Sequence, residues 1–234
     1  MNKVAKNKIE PALYIVPTPI GNLEDITLRA LRILKEADII ACEDTRRMGQ
    51  LLKHYDIQGK KLESYYEQNE IFKAEYLVEQ INNGCSVALT SDAGTPGISD
   101  PGFRIIKLAK EKNVKIIPLP GATSIIPALL GSGFAINTFK FVGFPPHKKG
   151  RQTFLNSLKN ESSVVILLES PNRIIKLLNE LFTVFENTKM ICLARELTKI
   201  YEEFLVGTPA ELTEILKKRQ NIKGEFVVLI SNAS

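Results

Sequence analysis

The chain has 234 residues, 44% of them hydrophobic, 24% charged and 7% aromatic, with no tryptophan. That is enough apolar sequence to bury one large core or two small ones, and it excludes a disordered chain and a protein built on aromatic stacking platforms. A net charge of +5 and a pI near 9.0 make a mild basic excess, which favours a polyanionic partner without establishing one. Lys3, Lys6 and Lys8 crowd the start with no apolar run behind them, so residues 1–11 read as a flexible basic lead-in and not as a secretory signal. No apolar run approaches the length needed to cross a bilayer, and a cytoplasmic location is expected. Cys42, Cys85 and Cys192 form no Cys-x-x-Cys pair and read as reduced, buried thiols. His54 and His147, the two histidines, have no partner motif, so neither a zinc site nor a Ser-His-Asp triad is expected.

Taken in chain order, apolar runs at 13–16, 38–42, 62–65, 86–90 and 114–117 read as strands. Helical patterns separate them at 27–37, 46–54, 70–81 and up to 112; Leu28, Leu31, Ile33 and Leu34 give the first its 3.6-residue period. The second half opens with a small-residue turn, Pro120-Gly121-Ala122-Thr123-Ser124, and an apolar helix reaching Leu130. Strands are predicted at 139–142, 163–168, 190–194, 201–206 and 225–230, and helices are centred on Leu155, Leu177 and Leu212. Thr208-Pro209-Ala210-Glu211 is a helix start with Thr as cap, Pro in the first turn and Glu at the third position. Alternating strands and helices imply an α/β protein of two lobes, each a mostly parallel sheet flanked by helices. The stiff segment Pro118-Leu119-Pro120-Gly121 sets the boundary, giving lobes at 12–120 and 121–234 with a ligand cleft between them.

The densest loop is residues 91–102, with three glycines, two prolines and two aspartates directly after a buried strand. Such backbone reaches conformations closed to other residues and brings bare amides against a ligand. Ser99-Asp100-Pro101 reads as the start of the next helix, with a side-chain oxygen as its cap. The turn Pro17-Thr18-Pro19-Ile20-Gly21-Asn22 stands where a dinucleotide fold would carry Gly-x-Gly-x-x-Gly, and lacks it. Gly131-Ser132-Gly133 follows a helix instead of a strand, and no Gly-x-x-x-x-Gly-Lys-Ser/Thr is present. Glu43 and Asp44 are accounted for as acidic residues complementing a helix dipole. Arg46 and Arg47, against that preference, are candidates for phosphate contact, as are Lys148, Lys149 and Arg151 in a basic loop.

Seven segments recur here in a familiar order: residues 13–25, Glu43-Asp44-Thr45-Arg46, 91–102, 120–124, Glu169-Ser170-Pro171-Asn172-Arg173, Arg195-Glu196-Leu197-Thr198-Lys199 and Lys223-Gly224-Glu225-Phe226. Together they resemble the tetrapyrrole methylase superfamily and, within it, the methyltransferase I family of the small ribosomal subunit RNA. The resemblance covers about residues 13–230. It implies a homodimer, S-adenosylmethionine in the interlobe cleft, and 2′-O-methylation of a cytidine of 16S rRNA at the decoding centre, on free RNA or on the small subunit. It places the cofactor against Pro19, Gly21, Asp92, Ala93, Gly94, Thr95, Pro96 and Ser99 of the first lobe. From the second lobe it adds Thr123, Ser124, Phe141, Val142 and Gly143. Asn172 stands where the family more often has His, which leaves the role of that loop open.

The methyl group of a sulfonium is already activated, so this chemistry needs alignment, exclusion of water and a group to take the hydroxyl proton, and no metal. Asp100, Glu196 and Lys199 are the candidates by residue type. A flipped or single-stranded nucleotide suits a cleft better than intact duplex. Two rivals stand beside this reading: a methyltransferase for a small tetrapyrrole-like metabolite, and a non-enzymatic RNA-binding module.

Overall fold

A computed structural model of the protein describes residues 9–231, so Lys3, Lys6 and Lys8 lie outside the described residues. The chain divides into two units, Met1–Thr123 and Ser124–Ser234. The first contains β1 (Leu13–Ile15), α1 (Leu28–Glu36), β2 (Ile39–Cys42), α2 (Thr45–His54), β3 (Lys61–Ser64), α3 (Glu70–Asn82), β4 (Val87–Leu89), α4 (Phe103–Glu111) and β5 (Ile116–Pro118). Every residue of β1, β2 and β4 is buried, the pattern of parallel strands covered on both faces. Alternation along β1 explains how two cores share one sheet. Tyr14 and Val16 join Ile33, Leu34, Met48 and Leu52 from α1 and α2, while Leu13 and Ile15 join Leu77, Ile81, Ile105 and Ala109 from α3 and α4. The strand order is β3-β2-β4-β1-β5 and every pairing is parallel. The strands' carboxyl ends therefore lie on one edge, where open α/β sheets place their ligands.

The second unit contains α5 (Ile125–Ser132), β6 (Phe139–Gly143), α6 (Arg151–Ser157), β7 (Val164–Glu169), α7 (Ile174–Phe185), β8 (Ile191–Arg195), β9 (Glu203–Gly207), α8 (Pro209–Lys217) and β10 (Phe226–Ile230). Its order is β6-β7-β10-β8-β9. Only β6 and β7 pair in parallel here; β10 runs antiparallel to β7 and β8, and β9 antiparallel to β8. A mostly parallel sheet thus describes the first unit and the two sheets counted together, but not the second alone. Strands joined through a helix, β7 with β8 and β9 with β10, do run the same way, as crossovers require. They are not neighbours, however, because an oppositely directed strand is inserted between each such pair. Among the described residues, one face of this sheet carries a core that runs from Leu155 and Leu167 through Leu177, Leu181 and Leu193 to Leu212 and Val228, while Ile166, Cys192 and Leu229 are buried on the other face.

Two local expectations change. Helix α4 begins at Phe103 with Gly102 as its N-cap, and no side chain bonds the cap, so Ser99 and Asp100 do not start it. Gly102 has φ +155°, and a Cβ there would sit 3.0 Å from the Gly97 Cα. That close approach delays the helix until the loop has folded back on itself. Strand β9 begins at Glu203 instead of Tyr201 because the preceding turn carries two left-handed residues, Glu196 and Thr198. The start of α8 matches its sequence: Thr208 and Glu211 form a complete capping box, with Pro209 in the first turn. Among the described residues no helix is long and apolar enough to cross a membrane.

Candidate functional site

Three loops converge at the carboxyl edge of the first sheet. After β1, Thr18 exchanges two backbone hydrogen bonds of 2.9 Å with Gly94 in the loop after β4, and its hydroxyl donates to the Ser91 carbonyl. Thr18 and Ser91 are each only 2% exposed, so this junction is part of the fold. Thr95 donates its hydroxyl to the Ala122 carbonyl at 2.9 Å, tying in the segment after β5. Gly94 has φ +81°, and a Cβ there would meet Ile20 Cγ2 at 3.3 Å and the Ala122 carbonyl oxygen at 3.8 Å. Gly121 comes close to the β1 loop in the same way, since a Cβ on it would lie 2.6 Å from Pro17 Cβ. The expected first-lobe contacts Pro19, Gly21, Asp92, Ala93, Gly94, Thr95, Pro96 and Ser99 all belong to these loops, and Ser99 is held at φ +65°.

Carboxylates collect beside this junction, where β2 and β4 are neighbours. Asp92 Oδ1 accepts from the Asp44 amide at 3.1 Å and its Oδ2 from Arg47 at 2.9 Å, which ties the β4 loop to the start of α2. Asp92 thereby shapes the loop. Asp44 caps α2 through the Arg46 amide, and hydrogen bonds from the Arg46 side chain hold its carboxyl well below the usual carboxylate range. Both arginines remain exposed, with 88% of the Arg46 and 68% of the Arg47 side chain accessible.

Glu43 behaves in the opposite way. Its Oε1 is buried and finds no hydrogen-bond partner among the described residues. Burial first, then the charges of Asp100 and Asp92, push its carboxyl up to about 7, with Arg47 pulling the other way. Burial pushes the Cys42 thiol at the end of β2 up to about 12, with the charges of Asp92, Asp44 and Glu43 adding to it. Reading Glu43 as a dipole complement missed this. The available signal was its place directly after a continuous apolar strand, where a side chain leaves the sheet at its carboxyl edge.

In the second unit, Glu196 and Lys199 are engaged with each other. Lys199 Nζ lies 2.8 Å from Glu196 Oε1 and 3.1 Å from Glu225 Oε2, and Glu196 Oε1 also accepts from the Glu225 amide. Lys199 holds the Glu196 carboxyl below its ordinary value. Glu196 is left-handed at φ +51°, and its side chain occupies the space a Cβ on Gly224 would need. Asp100 belongs to the first unit and this pair to the second. Phe141, Val142 and Gly143 form the end of β6, where the register shifts around a left-handed Gly143. Ser124 holds the N-cap position of α5, but its side chain makes no cap bond.

Arg151 requires correction as an RNA contact. It is 4% exposed, with its guanidinium bonded to Glu180 at 2.8 Å, to the Pro146 carbonyl at 3.1 Å and to the buried Glu169 at 3.4 Å. A basic residue in a basic loop was drawn inward because Glu169 needed a cation. Lys148 and Lys149 stay exposed.

Residues 12–213 match the family model for tetrapyrrole (corrin/porphyrin) methylases. Proteins named ribosomal RNA small subunit methyltransferase I share 48% identity in Hydrogenobaculum sp., covering 94% of this chain and 95% of that one. In Halalkalibacterium halodurans the figures are 44% identity, 93% and 75%, and in Escherichia coli O157:H7 41%, 93% and 77%. The chain belongs to this family of tetrapyrrole methylases. The methylase fold is equally plain in solved structures. The methyltransferase CobJ superposes with a TM-score of 0.71 at 18% identity, covering 95% of this chain and 94% of that one. A uroporphyrin-III C-methyltransferase from Thermus thermophilus, complexed with S-adenosyl homocysteine, superposes with 0.63 at 17% identity, covering 94% and 97%.

Proposed function

We propose that this methylase transfers the methyl group of S-adenosylmethionine to the 2′-oxygen of a cytidine ribose in the 16S ribosomal RNA of the small subunit, at the decoding centre. The observation that carries this reading is identity of 41–48%, along more than nine-tenths of the chain, to proteins whose name specifies the small-subunit RNA. The cobalamin-biosynthetic and uroporphyrin-III methyltransferases among the solved structures lie below 20% identity and support the fold alone.

The residues at the sheet edge fit the cofactor. Gly94 presents bare backbone at a point where a Cβ would fill the space against Ile20, and Thr18 and Thr95 lock the loops on either side of it. Pro19, Gly21 and residues 92–96 with Ser99 would hold S-adenosylmethionine, and Thr123, Ser124, Phe141, Val142 and Gly143 would add to its pocket. When bound, the cofactor supplies a methyl group on a positive sulfur, ready for in-line displacement. What remains for the protein is to align the ribose oxygen, keep water out and accept one proton. Asp92 holds the β4 loop in place through Asp44 and Arg47. Arg46, Arg47, Lys148 and Lys149 offer exposed cations to the RNA backbone. A homodimer belongs to the same proposal; Ile71, Phe72 and Phe103 are among the large apolar side chains left exposed.

The test is incubation with methyl-labelled S-adenosylmethionine and small subunits or free 16S RNA from a strain lacking the modification. Label at a cytidine 2′-oxygen is the expected result, and the two substrates show which form is used. Label on a tetrapyrrole alone, or RNA binding without transfer, refutes the proposal.

A further inference from the structure

Of the carboxylates at the first sheet's edge, Glu43 is the one the fold leaves available. Asp44 is spent on the cap of α2 and on Arg46, and Asp92 on the Asp44 amide and Arg47. Asp100 sits in the loop after β4 with interactions of its own. In the second unit, Glu196 is held by Lys199 and by the Glu225 amide. Glu43 Oε1, by contrast, is shielded from solvent and has no donor among the described residues. Buried polar atoms are normally satisfied, and an exception calls for a use.

Its setting defines that use. Glu43 leaves β2 at the same edge as the glycine junction of Thr18, Gly94 and Ala122. Charged groups face it from two sides: Asp100 and Asp92 from the loop after β4, and Arg47 from α2. On its own segment, Cys42 stays a thiol, raised by burial and by Asp92, Asp44 and Glu43 itself, and Asp44 is paired with Arg46. A carboxylate so placed binds a proton more readily than a solvated one, because taking it up relieves both desolvation and repulsion from two like charges.

We propose that Glu43 is the proton acceptor for the ribose hydroxyl, an inference that rests on the methyl-transfer reading above. As the 2′-oxygen forms its bond to the methyl carbon, the bond from that carbon to sulfur breaks and its electron pair stays on sulfur. The hydroxyl proton passes to the Glu43 carboxylate. The products are a 2′-O-methyl ribose, a neutral thioether and a neutral Glu43 carboxyl, which then returns its proton to water. A base titrating near neutral pH both holds its ionised form in quantity and takes a proton effectively. Asp100 acts through Glu43, as one of the two like charges that add to burial in raising its basicity.

The experiment combines one measurement on the free protein with one on the reaction. Carbon-13 NMR of the glutamate carboxyls, with Glu43 assigned by its loss in Glu43→Gln, is expected to show a midpoint near 7. The pH profile of kcat/KM on small subunits lacking the modification should fall on the acid side with the same midpoint. Glu43→Gln should lose at least ~100-fold in rate, along with that acid limb, while S-adenosylmethionine affinity is retained. Asp100→Asn should lower the NMR midpoint and the acid limb together, a linkage that a merely structural Glu43 would not produce. A Glu43 midpoint in the ordinary carboxylate range overturns the proposal, as does a Glu43→Gln enzyme within ~10-fold of the parent, or an Asp100→Asn enzyme whose limb stays put while the midpoint moves. Wild-type protein that transfers no methyl to the RNA overturns the substrate reading and this role with it. An active wild type beside an equally active Glu43→Gln overturns this role alone. If Glu43→Gln does not fold, Glu43→Asp supplies the assignment, and the wild-type titration and the Asp100→Asn comparison decide.

Discussion

Gly121→Ala tests whether the loops after β1 and β5 are held in register by a contact that only glycine permits. A Cβ on Gly121 would lie 2.6 Å from Pro17 Cβ and 2.8 Å from Pro17 Cγ. Carbon atoms rest at about 3.5–4.0 Å, so the pyrrolidine ring must retreat by roughly 1 Å. The ring has little freedom to do so, because Pro17 is buried and is followed by Thr18, which is bonded on both sides to Gly94. Overpacking of this kind costs about 1–3 kcal/mol. For a chain of this size that lowers Tm by about 2–4 °C per kcal/mol, a fall of roughly 2–12 °C. The same displacement moves the loop carrying Pro19 and Gly21, and an error of about 1 Å in a positioned site costs up to 10²-fold. Calorimetric titration of S-adenosylmethionine should therefore show an affinity loss of at least ~10-fold. Gly84→Ala is the control: Gly84 is left-handed at φ +91° with nothing within 4 Å of the added carbon. It should lose about 1–2 kcal/mol of stability from backbone strain and no affinity. Unchanged Tm and affinity in Gly121→Ala, or equal affinity losses in both variants, would refute the reasoning.

Four further outcomes are expected. Arg151→Met should lower stability by about 3 kcal/mol in denaturant titration, because Glu169, with a fully buried side chain, keeps Arg173 but loses its second cation; a change below about 1 kcal/mol contradicts the buried network. The double variant Lys148→Ala, Lys149→Ala should leave Tm unchanged and reduce the salt slope of RNA binding by about 0.7 per lost single-strand phosphate contact; an unaltered slope removes these lysines from the interface. Because Glu43 is raised from 4.5 to about 7, the folded state binds its proton more tightly than the unfolded state, and wild-type stability falls as pH rises through that window. Glu43→Gln should gain on wild type by roughly 1–2 kcal/mol between pH 4.5 and 8, the full shift having been halved for partial exposure; parallel stability curves would remove the shift. Thr208→Ala should cost about 1 kcal/mol, since it opens the capping box of α8, and thermal melts check it.

Periodicity and turn chemistry in the chain determine most elements. Leu31, Ile33 and Leu34 mark the inward face of α1, although Leu28, counted with them by periodicity, stands 85% exposed; continuous apolar runs mark β1, β2 and β4, and Thr208 with Glu211 marks the start of α8, because each rests on contacts within a few residues or on burial of a local face. The same local logic brought out residues 91–102, since left-handed glycines and prolines can be read without a partner strand. Tertiary structure decided the rest. Strand direction in the second unit follows from its crossovers, but the insertion of β10 between β7 and β8 depends on pairings across distant sequence. Arg151 turned inward because Glu169 and Glu180, 18 and 29 residues away, needed a cation. Glu43 acquired its raised proton affinity from a burial that no local pattern records, and then from Asp100 and Asp92, about fifty residues further along. Electrostatics and desolvation act through space, so sequence determined which groups were present, and the fold alone decided which of them met.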